Sequence, residues 1–556
     1  MCGIFGGYNL TVEQVETAIN LIKRGNDGIN IKSFNKKFHF ASRRHLVKFS
    51  GKNENNNSSS DQPYYSDDKN ISLIFNGEFY NYKNFKNNLI KEGINFKTSG
   101  DTEVFLKLYE KYGIDFLKDQ NIDSLFSIAV YDNKKQKIFI ARDWPGRIPL
   151  YYHHTKNSFV FSSELKAFRA IKNLSLTEPQ ELEPGYYIEV DIKNNKINKN
   201  CFFKVKPLKF SNNKILDISY KLHNLLNKSA KNRTMGDVPI CTMLSGGIDS
   251  VLTTFYVLKN INFNKVSFKP TSYVMAVEGY DSIDVKKAEI AAKGFDFLNL
   301  KLTKVIIKKE NIINDLPEII NSFEMRKLKA LSFYPLPIYW FLAKKMKEDG
   351  FKVTIGGHGV DELLGAYDSW KELDKPHDLQ TRSISRLAFI NNIYDNMLKR
   401  ASIIFMNRGP IEARFPFLSH KVCEFMLGID KKWLTFNKKN TDLLLELIEK
   451  SNASKKLPFL KKNLVYYLDN NNFSESLKPK EISDIKKIFW KLPLIISSFH
   501  ASSESFLPFE LVFNPKHRGQ HGAGITTLEK DIIKKYHKYG KNDKDIFLNL
   551  SKEIFK

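Results

Sequence analysis

The apolar run at 238–244 stops at Ser245-Gly246-Gly247-Ile248-Asp249-Ser250, and a helical pattern takes over immediately. Few architectures place a glycine turn directly between a buried strand and a helix. The same punctuation recurs at 352–355, which runs into Gly356-Gly357-His358-Gly359. Strand patterns at 238–244, 266–277 and 352–355 alternate with helical patterns at 218–230, 250–259, 282–293 and 337–349. That alternation predicts a parallel sheet with helices on both faces. Ligands of such sheets bind beyond the carboxyl ends of the strands, and both glycine turns fall there. Backbone N–H groups at a helix start favour an anion such as pyrophosphate. The turn lacks the Gly-Lys-Ser/Thr ending of a Walker loop, so it is a cradle of another kind.

Residues 1 to about 195 keep a different rhythm. Short strand patterns at 71–75, 127–131, 137–140 and 159–162 dominate, with helical spacing at 12–23 and 102–112. Residues 53–61 form a polar low-complexity surface insertion, 191–200 suggest a hairpin, and a linker is expected around 204–214. No internal repeat is visible, and the chain beyond about 470 is Lys-rich and irregular. At 556 residues the chain exceeds a single core, with room for roughly three or four domains of about 150 residues or two large ones.

The net charge of +26 comes from 87 basic and 61 acidic residues. The lysines are scattered and no arginine-rich arm is present, so nucleic acid is not the expected partner. The four cysteines (Cys2, Cys201, Cys241, Cys423) form no CxxC pair. That spacing supports neither a zinc knuckle nor a disulfide framework and suits a reducing, cytoplasmic compartment. The first residues lack a signal-peptide pattern. The most apolar windows, such as 334–343, fall well short of the roughly 20 residues that span a bilayer.

Removal of Met1 would leave Cys2 with a thiol and a free α-amine on one residue. The amine can take the thiol proton near neutrality without a histidine. Asn76 and Gly77 can supply amide donors to an oxyanion, and equally can be a hairpin turn. Arg44 has the forked donors that grip a carboxylate, and Glu78 and Asp101 can hold an ammonium. Each residue alone is also an ordinary buried thiol or surface charge.

Taken together the segments resemble the glutamine-hydrolysing asparagine synthetases. MCGIFG at 1–6, RGND at 24–27, FNGEFYNY at 75–82, SGDTEVF at 99–105, ARDWPGRIPLYY at 141–152 and FSSELKA at 161–167 occur in that family's order. So do SGGIDS at 245–250, DVKKA at 284–288, GVDELLGAY at 359–367 and EARFPFL at 412–418. The resemblance implies an α/β protein: an αββα N-terminal-nucleophile hydrolase domain at 2–195, a parallel-sheet synthetase domain at 215–470, and a variable extension at 471–556. It implies that Cys2 attacks the glutamine side-chain amide, that Asn76 and Gly77 stabilise the oxyanion, and that Arg44, Glu78 and Asp101 hold the rest of glutamine. It further implies ATP against Leu244, Ser245, Gly246, Gly247, Asp249, Ser250, Met275, Gly356 and Gly357. Mg²⁺ would sit on Asp249 and Asp361, with His358 and Lys461 assisting the chemistry. An internal channel would carry ammonia, and a homodimer is compatible with the family.

The chain departs from the family pattern in places. His358 stands where an acidic residue is usual, Val251 for a serine, Ser419 for an aspartate and Ser124 for a glycine. Thr441 and Leu445 replace basic residues. Three outcomes stay open at this level: amidation of aspartate, amidation of another carboxylate, or a live glutaminase on a degenerate synthetase half. The first is the expectation: an ATP-dependent carbon–nitrogen ligase that makes asparagine, AMP, diphosphate and glutamate.

Overall fold

Two antiparallel sheets organise the first 201 residues of the computed structural model, which describes residues 1–47, 61–171, 178–209, 215–261, 266–279, 282–295, 299–322, 336–364 and 379–429. The strands are β1 (Gly3–Tyr8), β2 (Ile29–Asn35), β3 (Phe38–Arg43), β4 (Tyr64–Tyr65), β5 (Ile71–Phe79) and β6 (Ser124–Asp132), followed by β7 (Lys137–Arg142), β8 (Tyr151–His154), β9 (Phe159–Ser162), β10 (Gln180–Glu181), β11 (Tyr186–Asp191) and β12 (Lys196–Cys201). One sheet runs β10-β8-β9-β1-β3-β2 and the other β12-β11-β7-β6-β5-β4.

The side-chain period of two decides how they stack. Along β5, Leu73 and Phe75 turn outward to helix α3 (Asp101–Tyr112), while Ile74 turns inward to Ile4, Phe40 and Phe161 of the facing sheet. Along β6, Phe126, Ile128 and Val130 join the outer cluster, and Ala129 and Tyr131 the inner one. All nine residues of β6 are therefore buried. Helix α1 (Val12–Leu21) covers the other sheet through Val15, Ala18 and Ile19, which pack on Phe5, Ala41 and Val160. A capping box fixes its start: Thr11 Oγ1 accepts from Gln14 N at 3.2 Å, and Thr11 N donates to Gln14 Oε1 at 2.9 Å. Helix α2 (Tyr82–Lys91) lies beside α3. The layers are thus α, β, β, α, as expected.

One local expectation changes. Asn76 and Gly77 are not a hairpin turn; they lie inside the ladder, opposite Ser127 and Phe126. The strand runs on because a Cβ at Gly77 would meet Leu125 O at 2.0 Å, a closeness only glycine allows.

The second half contains α4 (Ile215–Arg233), β13 (Ile240–Met243), α5 (Ile248–Asn260), β14 (Thr271–Val277), α6 (Ile283–Lys293), β15 (Lys301–Ile307) and α7 (Lys309–Ser322). It continues with α8 (Leu336–Glu348), β16 (Val353–Ile355), α9 (Val360–Leu364), α10 (Leu379–Asn391), α11 (Lys399–Arg408), β17 (Glu412–Arg414) and α12 (His420–Leu427). Its sheet is parallel, in the order β15-β14-β13-β16-β17. The chain moves outward from β13 to β15 and then returns to the other side of β13. Right-handed crossovers place α5 and α6 on one face and α7 and α8 on the other. The crevice between β13 and β16 is the switch point where such sheets bind ligands.

The halves are clasped by polar contacts, some buried and some partly exposed. Arg233, at the end of α4, grips Asp123 with Nη1 at 3.0 Å and Nη2 at 2.9 Å. Lys352, ahead of β16, reaches Asp27 at 3.0 Å. The Arg142 guanidinium lies 3.9 Å from the ring centroid of Tyr394. Met1, Tyr80, Leu125 and Ile148 pack against Met406 of α11 in one apolar cluster between the halves.

Candidate active sites

Cys2 immediately precedes β1, which is held between β3 and β9 in the centre of its sheet. Its Sγ accepts the His45 backbone N–H at 3.3 Å. Burial raises the thiol pKa, against the lowering influence of the Met1 ammonium and of that N–H. Burial likewise pulls the Met1 ammonium down to about 6.

The other predicted residues converge on this end of the sandwich. Asn76 is fully buried, and its Nδ2 donates to Ser163 Oγ at 3.4 Å. Ser163 Oγ in turn accepts from Ile4 N at 2.9 Å, tying the amide to the strand that carries Cys2. Arg44 is 7% exposed and pairs with Asp61 at 2.5 Å. Asp101 opens α3 and accepts from Phe79 N at 2.9 Å, which seats it against the end of β5. Glu78 is buried, and burial together with Glu412 and Asp101 pushes its carboxyl well above the usual range, against the pull of Arg414. Such a carboxylate is relieved by a cation, and the ammonium of an amino acid is one.

The second site is a cavity of about 580 Å³ at the switch point. Leu244, Ser245, Gly247, Asp249, Ser250, Met275, Gly357, His358 and Asp361 all line it. Gly246 and Gly356 shape the turns behind. Gly246 has φ +79°, and a Cβ there would lie 2.3 Å from the Lys287 backbone. Gly356 N donates to Arg414 O at 3.0 Å. The 245–250 turn is held from within: Ser250 Oγ donates to Gly247 O at 2.8 Å and accepts from Ser245 N at 3.2 Å. Gly247 caps α5 without a side-chain bond, leaving the first N–H groups of the helix to an anion.

Asp249 and Asp361 fit a divalent cation. Burial, Asp361 and Glu362 push the Asp249 carboxyl well above its ordinary range, and burial raises Asp361 as well. Among the described residues no lysine or arginine is paired with either. No set of three or more His, Cys, Asp or Glu assembles as a metal cage among the described residues. Two carboxylates with phosphate and water oxygens are the usual surroundings of Mg²⁺.

His358 sits in the turn after β16. Its Nε2 is 2.9 Å from Tyr339 Oη, and its ring lies 4.7 Å from that of Phe415. Burial and the Arg400 charge pull the imidazole down to about 4. Lys461, Thr441 and Leu445 lie outside the described residues.

Sequence reasoning missed several partners: the His45 N–H on the thiol, Ser163 behind Asn76, Tyr339 on His358, and Arg414. Arg414 is completely buried and joins the two sites. Its carbonyl holds Gly356, its guanidinium donates to Glu412 at 2.7 Å, and Nη2 stands 3.9 Å from Glu78. Its place inside EARFPFL was the available signal.

The fold and the two sites define a glutamine amidotransferase domain joined to a nucleotide-dependent α/β domain. A glutamine amidotransferase domain model matches residues 1–219, and an asparagine synthase model matches 221–400. A Methanocaldococcus jannaschii protein assigned as glutamine-hydrolysing asparagine synthetase 1 is 28% identical over 510 residues, 88% of this chain and 84% of that one. Asparagine synthetase B of Escherichia coli is 27% identical, over 77% of this chain and 75% of its own length. The Zea mays asparagine synthetase is 27% identical, over 77% and 70%. The chain thus joins a glutamine amidotransferase domain to an asparagine synthase domain, and over most of its length it is similar to glutamine-hydrolysing asparagine synthetases.

Proposed function

We propose that this chain hydrolyses glutamine at Cys2 and delivers the ammonia to an acyl-adenylate formed from aspartate and ATP, giving asparagine, AMP, diphosphate and glutamate. The observation that carries the reading is one buried residue, Arg414, that stands 3.9 Å from Glu78 of the thiol site and accepts from Gly356 N in the turn behind the second cavity.

In the first half, Cys2, freed of Met1, is the nucleophile and its α-amine the base. Asn76 and Gly77 stabilise the oxyanion of the thiol adduct. Arg44 takes the glutamine carboxylate, and Glu78 and Asp101 take its ammonium. In the second half, a carboxylate is a poor electrophile because its leaving group would be oxide, and adenylation replaces that group with AMP. The helix start at 247–250 holds the diphosphate portion of ATP, and Met275, Leu244 and Gly356–Gly357 border the nucleoside. Asp249 and Asp361 would hold Mg²⁺, which offsets phosphate charge when bound. His358 serves amide formation, and Lys461 the adenylate.

The domains in this reading are 2–195, 215–470 and 471–556. No helix among the described residues is long and apolar enough to cross a membrane, and a cytoplasmic location, with small molecules as partners and a homodimer as one possible assembly, belongs to the proposal. Diphosphate release is the test, with glutamine, ATP and a panel of carboxylates. Release with aspartate alone supports the reading. Release with a different carboxylate replaces the acceptor, and release with none assigns the synthetase half a regulatory role.

A further inference from the structure

Tyr339 has no part in the scheme above, yet it stands in the synthetase cavity. It lies on α8, on the face of the sheet opposite α5, so the sequence separates it by 90 residues from Asp249, whose cavity it shares. Its Oη meets His358 Nε2 at 2.9 Å, and both residues line the same cavity as Ser245, Gly247 and Ser250. The pair is braced from behind. Phe405 packs 5.4 Å from the Tyr339 ring, and Phe415 packs 4.7 Å from the imidazole. These two aromatic contacts leave the Oη–Nε2 pair little rotational freedom.

We infer that Tyr339 and His358 form a proton relay for amide formation, with Tyr339 Oη facing the attacking nitrogen and His358 Nε2 as the sink behind it. The inference rests on the function proposed above. Ammonia must lose a proton once it has attacked. The C–N bond forms, the C–O bond to AMP breaks with its electron pair leaving on AMP, and the nitrogen is left with one proton too many. That proton passes to Tyr339 Oη as the phenolic proton moves to His358 Nε2, giving an imidazolium that later releases it to water. The tyrosine ends as it began. Both partners enter the step neutral. Burial holds the phenol up at about 12, and burial with Arg400 keeps the imidazole unprotonated at neutral pH. A tyrosine–histidine pair therefore takes the place of the single acidic side chain usual at position 358.

The relay acts only after the adenylate exists, so it separates two measurable half-reactions. The carboxylate-dependent exchange of labelled diphosphate into ATP reports adenylation. Ammonium-fed amide formation reports the later step. For Tyr339→Phe, exchange is expected to stay within about twofold of the parent while amide formation falls by about a hundredfold, the scale of a lost general base. His358→Gln is expected to do the same, and the double variant to fall no further than either single one. Undiminished exchange reports that the synthetase cavity of each variant is folded. Equal loss of exchange and amide formation would make the pair structural and overturn the relay, as would undiminished amide formation in Tyr339→Phe. Exchange in the parent with a carboxylate other than aspartate would overturn the acceptor but leave the relay to be judged with that carboxylate. No exchange with any carboxylate would overturn both.

Discussion

The two halves position their chemistry by opposite means. In the glutaminase half, the ladder itself sets the site. Asn76, Gly77 and Glu78 are consecutive in β5, and Cys2 leads directly into β1. In the synthetase half, strands only deliver the chain to the cavity, and turns at their ends carry the groups: Ser245 to Ser250 after β13, and Gly356 to Gly359 after β16. Antiparallel pairing fixes register residue by residue. A turn beyond a parallel strand is fixed by fewer bonds and leaves its N–H groups to the ligand. A covalent nucleophile needs the first kind of placement, and a ligand with several phosphates suits the second.

The largest expected effect tests whether the halves are separable at all. Cys2→Ala removes the proposed nucleophile, so glutamine-fed synthesis should vanish while ammonium-fed synthesis persists. Loss of both in the same assay would show that the thiol also supports the second site and would end the division. Asp249→Asn probes the other side. Mg-ATP turnover should drop by about a hundredfold with basal glutaminase nearly unchanged, and parallel loss would again contradict two sites.

The clasp between the halves is the next test. Burial alone would raise the Asp123 carboxyl, but the Arg233 guanidinium and the Asn232 amide hold it down at about 2. Its folded value is therefore depressed. The contribution of the pair to stability is complete above the ordinary carboxylate range, near pH 4, and is lost as pH falls through about 2. Asp123→Ala leaves Arg233 buried and unpaired and should cost about 3–5 kcal/mol in denaturant unfolding. An unfolding midpoint matching the parent's would mean the halves hold together without this contact. The smallest effect belongs to Lys352→Met. Its pairing with Asp27 is about one third exposed on each side chain, so about 0.5 kcal/mol is expected. A change of several kcal/mol would give the second clasp unexpected weight.

Some of this was legible in the sequence and some was not. Strand and helix patterns located β5, β6, β7 and β9 and α4, α5, α6 and α8 closely, because buried faces repeat with period two or 3.6; β8 and α7 were not read from the pattern. The edge strands β15 and β17 escaped. Lys301–Ile307 carries only one buried residue, so it has no clean alternation, and Glu412–Arg414 is three residues long. Asn76 and Gly77 were found as residues but misplaced as a possible turn. Asn-Gly is locally a turn dipeptide, and only cross-strand packing against Leu125 shows why the glycine is inside a ladder.

By itself, the sequence determined what is chemically local: a thiol at position 2, a glycine turn opening a helix, and the alternation that makes one half parallel and the other a sandwich. Tertiary structure alone decided which distant groups meet. Ser163 reached Asn76, Tyr339 reached His358, and Arg414 came between Glu78 and Gly356. The physical reason is that local patterns report which face of an element is buried, whereas contacts between residues on separate elements depend on how whole sheets and crossovers pack.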